Sequence, residues 1–321
     1  MTDAALPAAV RGRVVLVTGG SGFLGGALVQ RLLTDDVAEV RVLTRNANTE
    51  SIARTVLGRQ PQLIVGSLND QSSLRVAVGG AQVVFHLAAI KSVAFCETNP
   101  TEAINTNLLG AGALIETALS EPGLERFVAI SSDKASRPTS VYGLTKALLE
   151  RMIAEAAGRS NADFGTVRCG SLWGSPGSVL DRWREAGRTR SDLLVTDPEM
   201  TRFVMHRPEA VDLILEAASR DLAGAVLCRV MPAYVLADLA SIMAEILGVK
   251  QRVTGAKHGE KLHEDLVSET EAPFTERRGE FFTIMPGGSS SGAEPFSSMN
   301  APRLNRTELR KLVADLLATS A

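Results

Sequence analysis

From Arg13 the chain runs Val-Val-Leu-Val-Thr, a continuous apolar stretch with β-branched residues, then a cluster of glycines, then an amphipathic stretch at 27–34. A strand covered on both faces shows no polar alternation, and a glycine turn leading into a helix is how a buried parallel sheet begins. The same alternation recurs. Apolar runs predict strands at 40–43, 62–65, 83–87, 127–131 and 164–168, with helical patterns at 50–57, 72–78, 100–119 and 142–157. Strands and helices alternating at this spacing imply βαβ units and an α/β fold of the Rossmann type, a doubly wound parallel sheet.

After Arg168 the rhythm loosens into CGSLWGSPGS, which is loop chemistry at the end of a strand. A helix is predicted at 208–219, with proline in its first turn, and a strand at 225–230 that rejoins the first sheet. The two regions are therefore interleaved. Residues 287–302 (GGSSSGAEPFSSMNAP) read as an exposed loop, and 306–318 as a closing amphipathic helix.

Composition narrows the classes. The 321 residues are 45% hydrophobic and carry a net charge of −2, enough for a real core and too balanced for a nucleic-acid or anionic-membrane footprint. Three distant cysteines, Cys96, Cys169 and Cys228, form neither a disulfide framework nor a zinc cluster, and His258 and His263 lack the spacing of a zinc helix. No metal is expected. The segment MTDAALPAAVRGR lacks the apolar core of a signal peptide, and no apolar run approaches the roughly 18 residues of a membrane span. The expectation is a soluble cytoplasmic protein. Only seven lysines stand among 34 basic residues, beside two tyrosines, so each of these side chains draws attention.

Glycines at 19, 22 and 25 lie between the first strand and its helix, where they permit a tight turn and the close approach of a pyrophosphate to the helix N-terminus. At the end of the second strand, Leu43-Thr44-Arg45-Asn46 offers no acid for a ribose diol. Arg45 stands where an arginine would meet a 2′-phosphate, which points to NADP. Tyr142 and Lys146 are four residues apart on one helix face, a phenol and an ammonium suited to acid/base work on an alcohol, with the lysine lowering the phenol pKa and holding the nicotinamide ribose. Upstream, Ser132-Asp133-Lys134 ends the fifth strand at the crevice edge. The serine suits polarising a substrate oxygen, and the acid and base after it suit protonating a leaving hydroxyl and removing a carbon-bound proton.

TGGSGFLG, HLAA at 86–89 and the YxxxK pair resemble the extended short-chain dehydrogenase/reductases. Further segments, HLAAIKSVAFCETNPTEAINTNLLG, ISSDKASRPTSVYGLTK, GSPGSVLDRW, VTDPEMTRF, GEKLHEDLVSETEA and SSMNAPRLNRTELRKLV, resemble the soluble inverting UDP-N-acetylglucosamine 4,6-dehydratases and their capsular-polysaccharide relatives. The resemblance implies that Tyr142 takes the 4-hydroxyl proton during C4 oxidation, Lys134 the C5 proton, and Asp133 helps the 6-hydroxyl leave, with hydride returned to C6 and C5 reprotonated on the other face. It implies cofactor contacts from Thr18, Gly19, Ser21, Gly22, Phe23, Leu24, Gly25, Arg45, Ser67, Leu68, Leu87, Ala88, Ala89, Lys91, Tyr142 and Lys146. It implies contacts to a UDP-sugar from Lys91, Lys134, Ser171, Ser178, Thr196, Met200, Arg202, Lys257 and Glu260, and a homo-oligomer, dimer or hexamer.

On this reading residues 1–170 form an NADP-binding Rossmann domain that 204–230 rejoins, while 171–203 and 231–321 bind substrate. The chain departs from the family pattern at several places. Ser132 replaces threonine, Ser67 replaces an acid, Ser171 and Pro176 replace an asparagine and an arginine, and Lys257-His258 replaces arginine-proline, which keeps charge but loses a bidentate fork. An epimerase or dehydrogenase of the same superfamily, or a non-catalytic NADP-binding module, are the other readings.

Overall fold

The structure, a computed structural model, describes residues 6–45, 59–288 and 292–318; the helix predicted at 50–57 lies outside them. In chain order the strands are β1 (Val14–Thr18), β2 (Glu39–Thr44), β3 (Gln62–Val65), β4 (Val83–His86), β5 (Arg126–Ser132), β6 (Asp163–Cys169), β7 (Leu193–Val195) and β8 (Thr201–Phe203). They continue with β9 (Val226–Arg229), β10 (Ala233–Val235), β11 (Gln251–Val253), β12 (Asp265–Val267), β13 (Thr275–Arg278), β14 (Phe281–Ile284) and β15 (Phe296–Ser297). The helices are α1 (Phe23–Leu33), α2 (Gln71–Val78), α3 (Val93–Thr98), α4 (Pro100–Ile104), α5 (Ala111–Leu119), α6 (Val141–Ala157), α7 (Val179–Arg188), α8 (Arg207–Ser219), α9 (Leu236–Leu247) and α10 (Arg306–Ala318).

One nine-stranded sheet runs β13-β14-β9-β6-β5-β4-β1-β2-β3, and β1 to β6 with β9 are parallel. The apolar runs have a direct cause. Along β1, Val15 and Val17 pack with Leu28 of α1 and Ile214 of α8 on one face, while Leu16 packs with Leu74, Leu114 and Phe127 on the other. Both faces are covered, so no polar alternation survives. Phe127 and Phe164 stack with centroids 5.1 Å apart beneath α5 and α6, and truncating either to alanine would cost about 3–5 kcal/mol.

Strand order reverses at β1, flanked by β2 and β4, and this reversal opens a crevice at the carboxyl ends of the strands. The 204–230 stretch supplies α8 and β9, with β9 parallel to β6. The β13–β14 hairpin also joins the sheet, antiparallel to β9, so part of the 231–321 stretch belongs to the sheet. A separate cluster around Trp183, Tyr234, Leu239 and Leu309, drawn largely from α7, α9, α10 and the short β7 and β10, forms the smaller lobe.

Two expectations change. The 100–119 helix is interrupted by a π-helical segment, Asn105–Gly110, in which Asn107 is buried. Its side chain accepts from Ile90 N at 2.8 Å and donates to Ile90 O at 3.0 Å and Thr145 Oγ1 at 3.1 Å, tying the loop after β4 to α6. Within 287–302, β15 pairs antiparallel with β12 and Phe296 stacks on Phe282 at 5.2 Å, because the one aromatic side chain there finds the core. That part of the stretch is not an exposed loop.

Candidate active site

A cleft of about 770 Å³ follows the sheet's carboxyl edge from the β1 turn to the smaller lobe. At its floor, Gly19 has φ +71°, and a Cβ there would stand 2.7 Å from Ala88 N; a Cβ on Gly25 would stand 2.2 Å from Gly19 O. Only glycine lets the turn press against the β4 loop and α1 press against the turn. Gly22 caps α1 without a side-chain hydrogen bond, so the first-turn amides of α1 are left for another acceptor. Thr18 is buried, its Oγ1 2.8 Å from His86 Nδ1. Burial, then Lys146, pushes His86 down to about 3, so the imidazole beneath the turn is neutral. Arg45 is exposed at the rim beyond β2. These residues fit a dinucleotide cofactor: a cradle that side chains would fill, an open helix terminus and a cation at the far end.

The end of β5 and the turn after it bring several predicted site residues into the cleft. The strand's side chains alternate, so Ser131 turns to Glu150 (2.6 Å) while Ser132 turns to the cleft and donates to Asp133 Oδ1 at 2.9 Å. Lys134 Nζ lies 3.2 Å from Asp133 Oδ1 and 2.9 Å from Glu264 Oε1. Behind Glu264 stand Lys261 Nζ at 3.4 Å from Oε2 and Arg202 Nε at 3.8 Å from Oε1. Asp133 and Glu264 are 1% and 2% exposed, and Asp133 Oδ2 and Glu264 Oε2 have no hydrogen-bond partner. Burial of Asp133 pushes its carboxyl up, against Lys134 beside it. Glu264 goes down to about 2, because Lys134, Arg202 and Lys261 together outweigh its burial. Lys134 is held above the ordinary lysine range by the two carboxylates, which outweigh its burial. It rests as an ammonium.

α6 brings Tyr142 and Lys146 to the same place, starting at the N-cap Ser140, whose Oγ accepts from Gly143 N. Lys146 donates to Ile130 O at 2.6 Å, and burial draws it down to about 8. Tyr142 differs from the sequence expectation. Burial pushes its phenol up to about 12, and the groups that work against this are Lys134 and the hydroxyl of Ser132, not Lys146.

The cleft gathers Ser132, Asp133, Lys134, Tyr142 and Lys146 with Thr18, Gly19, Ser21, Gly22, Phe23, Leu24, Gly25, Arg45, Ser67, Leu68, Leu87, Ala88, Ala89 and Lys91. Ser171, Ser178, Arg202, Lys257 and Glu260 line its other half. Thr196 and Met200 do not line it. Met200 is 1% exposed in the smaller lobe's core and Thr196 Oγ1 points at its sulfur, 3.3 Å away, because the apolar thioether is worth more buried than facing a polar cleft.

Several lining residues were not among the predicted site residues: Arg182 on α7 and Glu264, though both lie in segments that carry the resemblance, and Trp173 and Tyr234, whose rings meet edge-on at 6.1 Å. Among the described residues Arg182 and Lys257 make no side-chain hydrogen bond or ion pair. Lys91 is drawn down by burial and up by Asp181. Cys169 also lines the cleft, its thiol pushed up to about 12 by burial and Asp133, which leaves it a poor nucleophile. Among the described residues no group of three or more His, Cys, Asp or Glu is placed to hold a metal ion, and no helix is long and apolar enough to cross a membrane.

The chain resembles known proteins along most of its length. It is 34% identical over 331 residues to a Rickettsia felis protein named UDP-glucose 4-epimerase, covering 95% of this chain and 96% of that one. Among solved structures, Pen from Bacillus thuringiensis superposes with a TM-score of 0.89 at 30% identity over 96% of this chain and 98% of that one. MoeE5 in complex with UDP-glucose and NAD superposes with a TM-score of 0.67 at 26% identity over 77% and 86%. A family model described as polysaccharide biosynthesis protein matches residues 15–286, and the chain belongs to that family, within the extended short-chain dehydrogenase/reductases.

Proposed function

We propose that the protein is an NADP-dependent sugar-nucleotide 4,6-dehydratase that inverts C5 of UDP-N-acetylglucosamine or a close relative. The observation that carries this reading is the half-buried Lys134 held between the buried carboxylates of Asp133 and Glu264, beside Ser132 and Tyr142. Oxidation at C4 and its reversal need a phenol, a hydroxyl and a lysine. An acid and a base with an incomplete set of hydrogen bonds are what water elimination needs in addition.

A nicotinamide dinucleotide held by the Thr18–Gly25 turn and Arg45 would supply a hydride acceptor at C4 and donor at C6. The absence of an acid at the end of β2 and the exposed Arg45 support NADP, although the structural relative MoeE5 was solved with NAD. Ser132 orients the 4-oxygen, and Tyr142, once its phenol has released its own proton to solvent, takes the 4-hydroxyl proton as a phenolate. The resulting ketone acidifies the C5 proton, which passes to Lys134 once that lysine has given up its own, and Asp133 protonates the departing 6-hydroxyl. Lys91, Arg182 and Lys257 are the cations available for the diphosphate, with Arg182 standing in for the arginine lost at Pro176. The exposed Leu109, Leu144 and Leu148 on adjoining helical segments support a homo-oligomer.

The Rickettsia relative's name favours a second reading, a 4-epimerase. Incubating the protein with UDP-N-acetylglucosamine and NADP and weighing the product separates the two. The dehydratase gives a 4-keto sugar lighter by one water. An epimer of unchanged mass, or an unreacted sugar, contradicts it.

A further inference from the structure

Glu264 reaches the cleft from far along the chain, just before β12, and meets the group that ends β5. Nothing in the proton transfers above requires a second carboxylate on Lys134, yet one is there at 2.9 Å, nearer than Asp133. It is no incidental surface contact, since Glu264 is 2% exposed and buried carboxylates are retained only with partners. Its other partner, Lys261, is itself fixed by Ser136 O at 2.8 Å and by Asp265 at 3.5 Å. The result is an alternating row, Asp133, Lys134, Glu264, Lys261, in which each charge touches its opposite.

We propose that Glu264 is a positioning residue of the elimination: it holds the Lys134 ammonium against Asp133 and, balanced by Lys261, sets how readily that lysine yields its proton before it takes one from C5. The inference rests on the dehydratase reading. In the resting row the proton lies on Lys134, whose Nζ donates to Asp133 Oδ1 together with Ser132 Oγ. Moving that proton across the 3.2 Å contact gives an amine and a carboxylic acid. The amine's lone pair takes the C5 proton, the C5–C6 double bond forms, the C6–O6 bond breaks, and the acid's proton leaves with the hydroxyl as water. Lys134 is again an ammonium and Asp133 a carboxylate, so the elimination closes with no outside donor. Glu264 stays ionised throughout and opposes the first transfer, so its charge sets how much free amine is present to meet the C5 proton.

The charged and titratable groups facing Lys134 are Asp133 beside it in the turn after β5, Glu264 before β12, Arg202 on β8, Tyr234 on β10 and Tyr142 on α6, with Lys261 behind Glu264. Of the two carboxylates on Lys134, Glu264 is the one whose removal shifts the lysine without removing an assigned acid. The scarcity of lysine makes this measurable. In full-length protein labelled at lysine Cε, seven signals are expected, and the one lost in Lys134→Arg identifies its titration. Glu264→Gln should lower the midpoint of that signal by at least one pH unit, about a tenfold gain of free amine at a given pH, and Glu264→Asp should restore it. The pH limb of C5 exchange in heavy water with UDP-N-acetylglucosamine should move down with it in Glu264→Gln, and up in Lys261→Met, where Glu264 loses the cation that competes for it. An unmoved Lys134 midpoint in Glu264→Gln, or limbs displaced in the same direction by both variants, overturns the inference. A wild-type protein that titrates as described but exchanges no C5 proton overturns the dehydratase reading instead.

Discussion

Two buried charge clusters sit on neighbouring strands and could hardly be used more differently. On β6, Arg168 is fully buried and gives Nε to Glu150 (3.0 Å), Nη2 to Glu150 (2.6 Å) and Glu271 (2.8 Å), and Nη1 to Leu266 O (2.6 Å). Its carboxylates are closed off in turn by Ser131, Ser136 and Ser268, each at 2.6 or 2.7 Å. Just past β5, Asp133 and Lys134 meet Glu264 with two carboxylate oxygens left without a hydrogen-bond partner, and the cluster opens on the cleft. A saturated network fixes one arrangement of α6, β6 and the C-terminal segment; an unsaturated one, at the same depth, keeps capacity for a substrate.

The contrast is sharpest under substitution. Arg168→Met leaves Glu150 and Glu271 buried and unpaired, which should cost about 3–5 kcal/mol and lower the melting temperature on the order of 10 °C. Lys134→Ala should do the reverse: product formation falls roughly 10²–10⁴-fold while melting moves much less, since Arg202 and Lys261 remain beside Glu264. A calorimetric scan beside a product assay reads both. Equal melting losses in the two variants would erase the distinction between the clusters.

Acid probes the saturated cluster separately. Glu271 is held down to about 2, Arg168 overcoming its burial, from an ordinary value of 4.5. A depressed carboxyl stabilises the fold fully above its unfolded value, so this contribution is lost as pH falls from about 4.5 towards 2. Glu271→Gln should flatten the dependence of unfolding free energy on pH in that window and leave its slope above pH 6 unchanged. The smallest effect belongs to an exposed charge. Arg45→Gln should weaken NADP binding about tenfold or somewhat more relative to NAD, by loss of charge-assisted hydrogen bonds to the 2′-phosphate, with no change in melting.

Much of this was legible in the sequence, for identifiable reasons. Parallel strands buried on both faces write themselves as apolar runs, so β1, β2, β4 to β6 and the return of β9 could be read off, and the Thr18–Gly25 turn and the 132–146 segment are local in sequence. What escaped depends on distance. Glu264 lies more than a hundred residues from Lys134, and Arg182 reaches the cleft only because α7 starts at the Ser178 cap; neither leaves a spacing to detect. Thr196 and Met200 were misplaced because a segment can resemble a binding motif while its thioether packs inward. The direction of the Tyr142 shift was missed because the effect of burial is invisible in a four-residue spacing.

The account turns on the open cluster at the end of β5 performing an elimination, and one spectrum addresses that. The protein is incubated with UDP-N-acetylglucosamine and NADP in heavy water and the sugar is read by proton NMR. A 4-keto-6-deoxy product with deuterium at C5 and inverted C5 configuration, formed by the wild type and not by Lys134→Ala, is the predicted result. A sugar that keeps its 6-hydroxyl and its C5 proton, epimerised at C4 or unchanged, would contradict it.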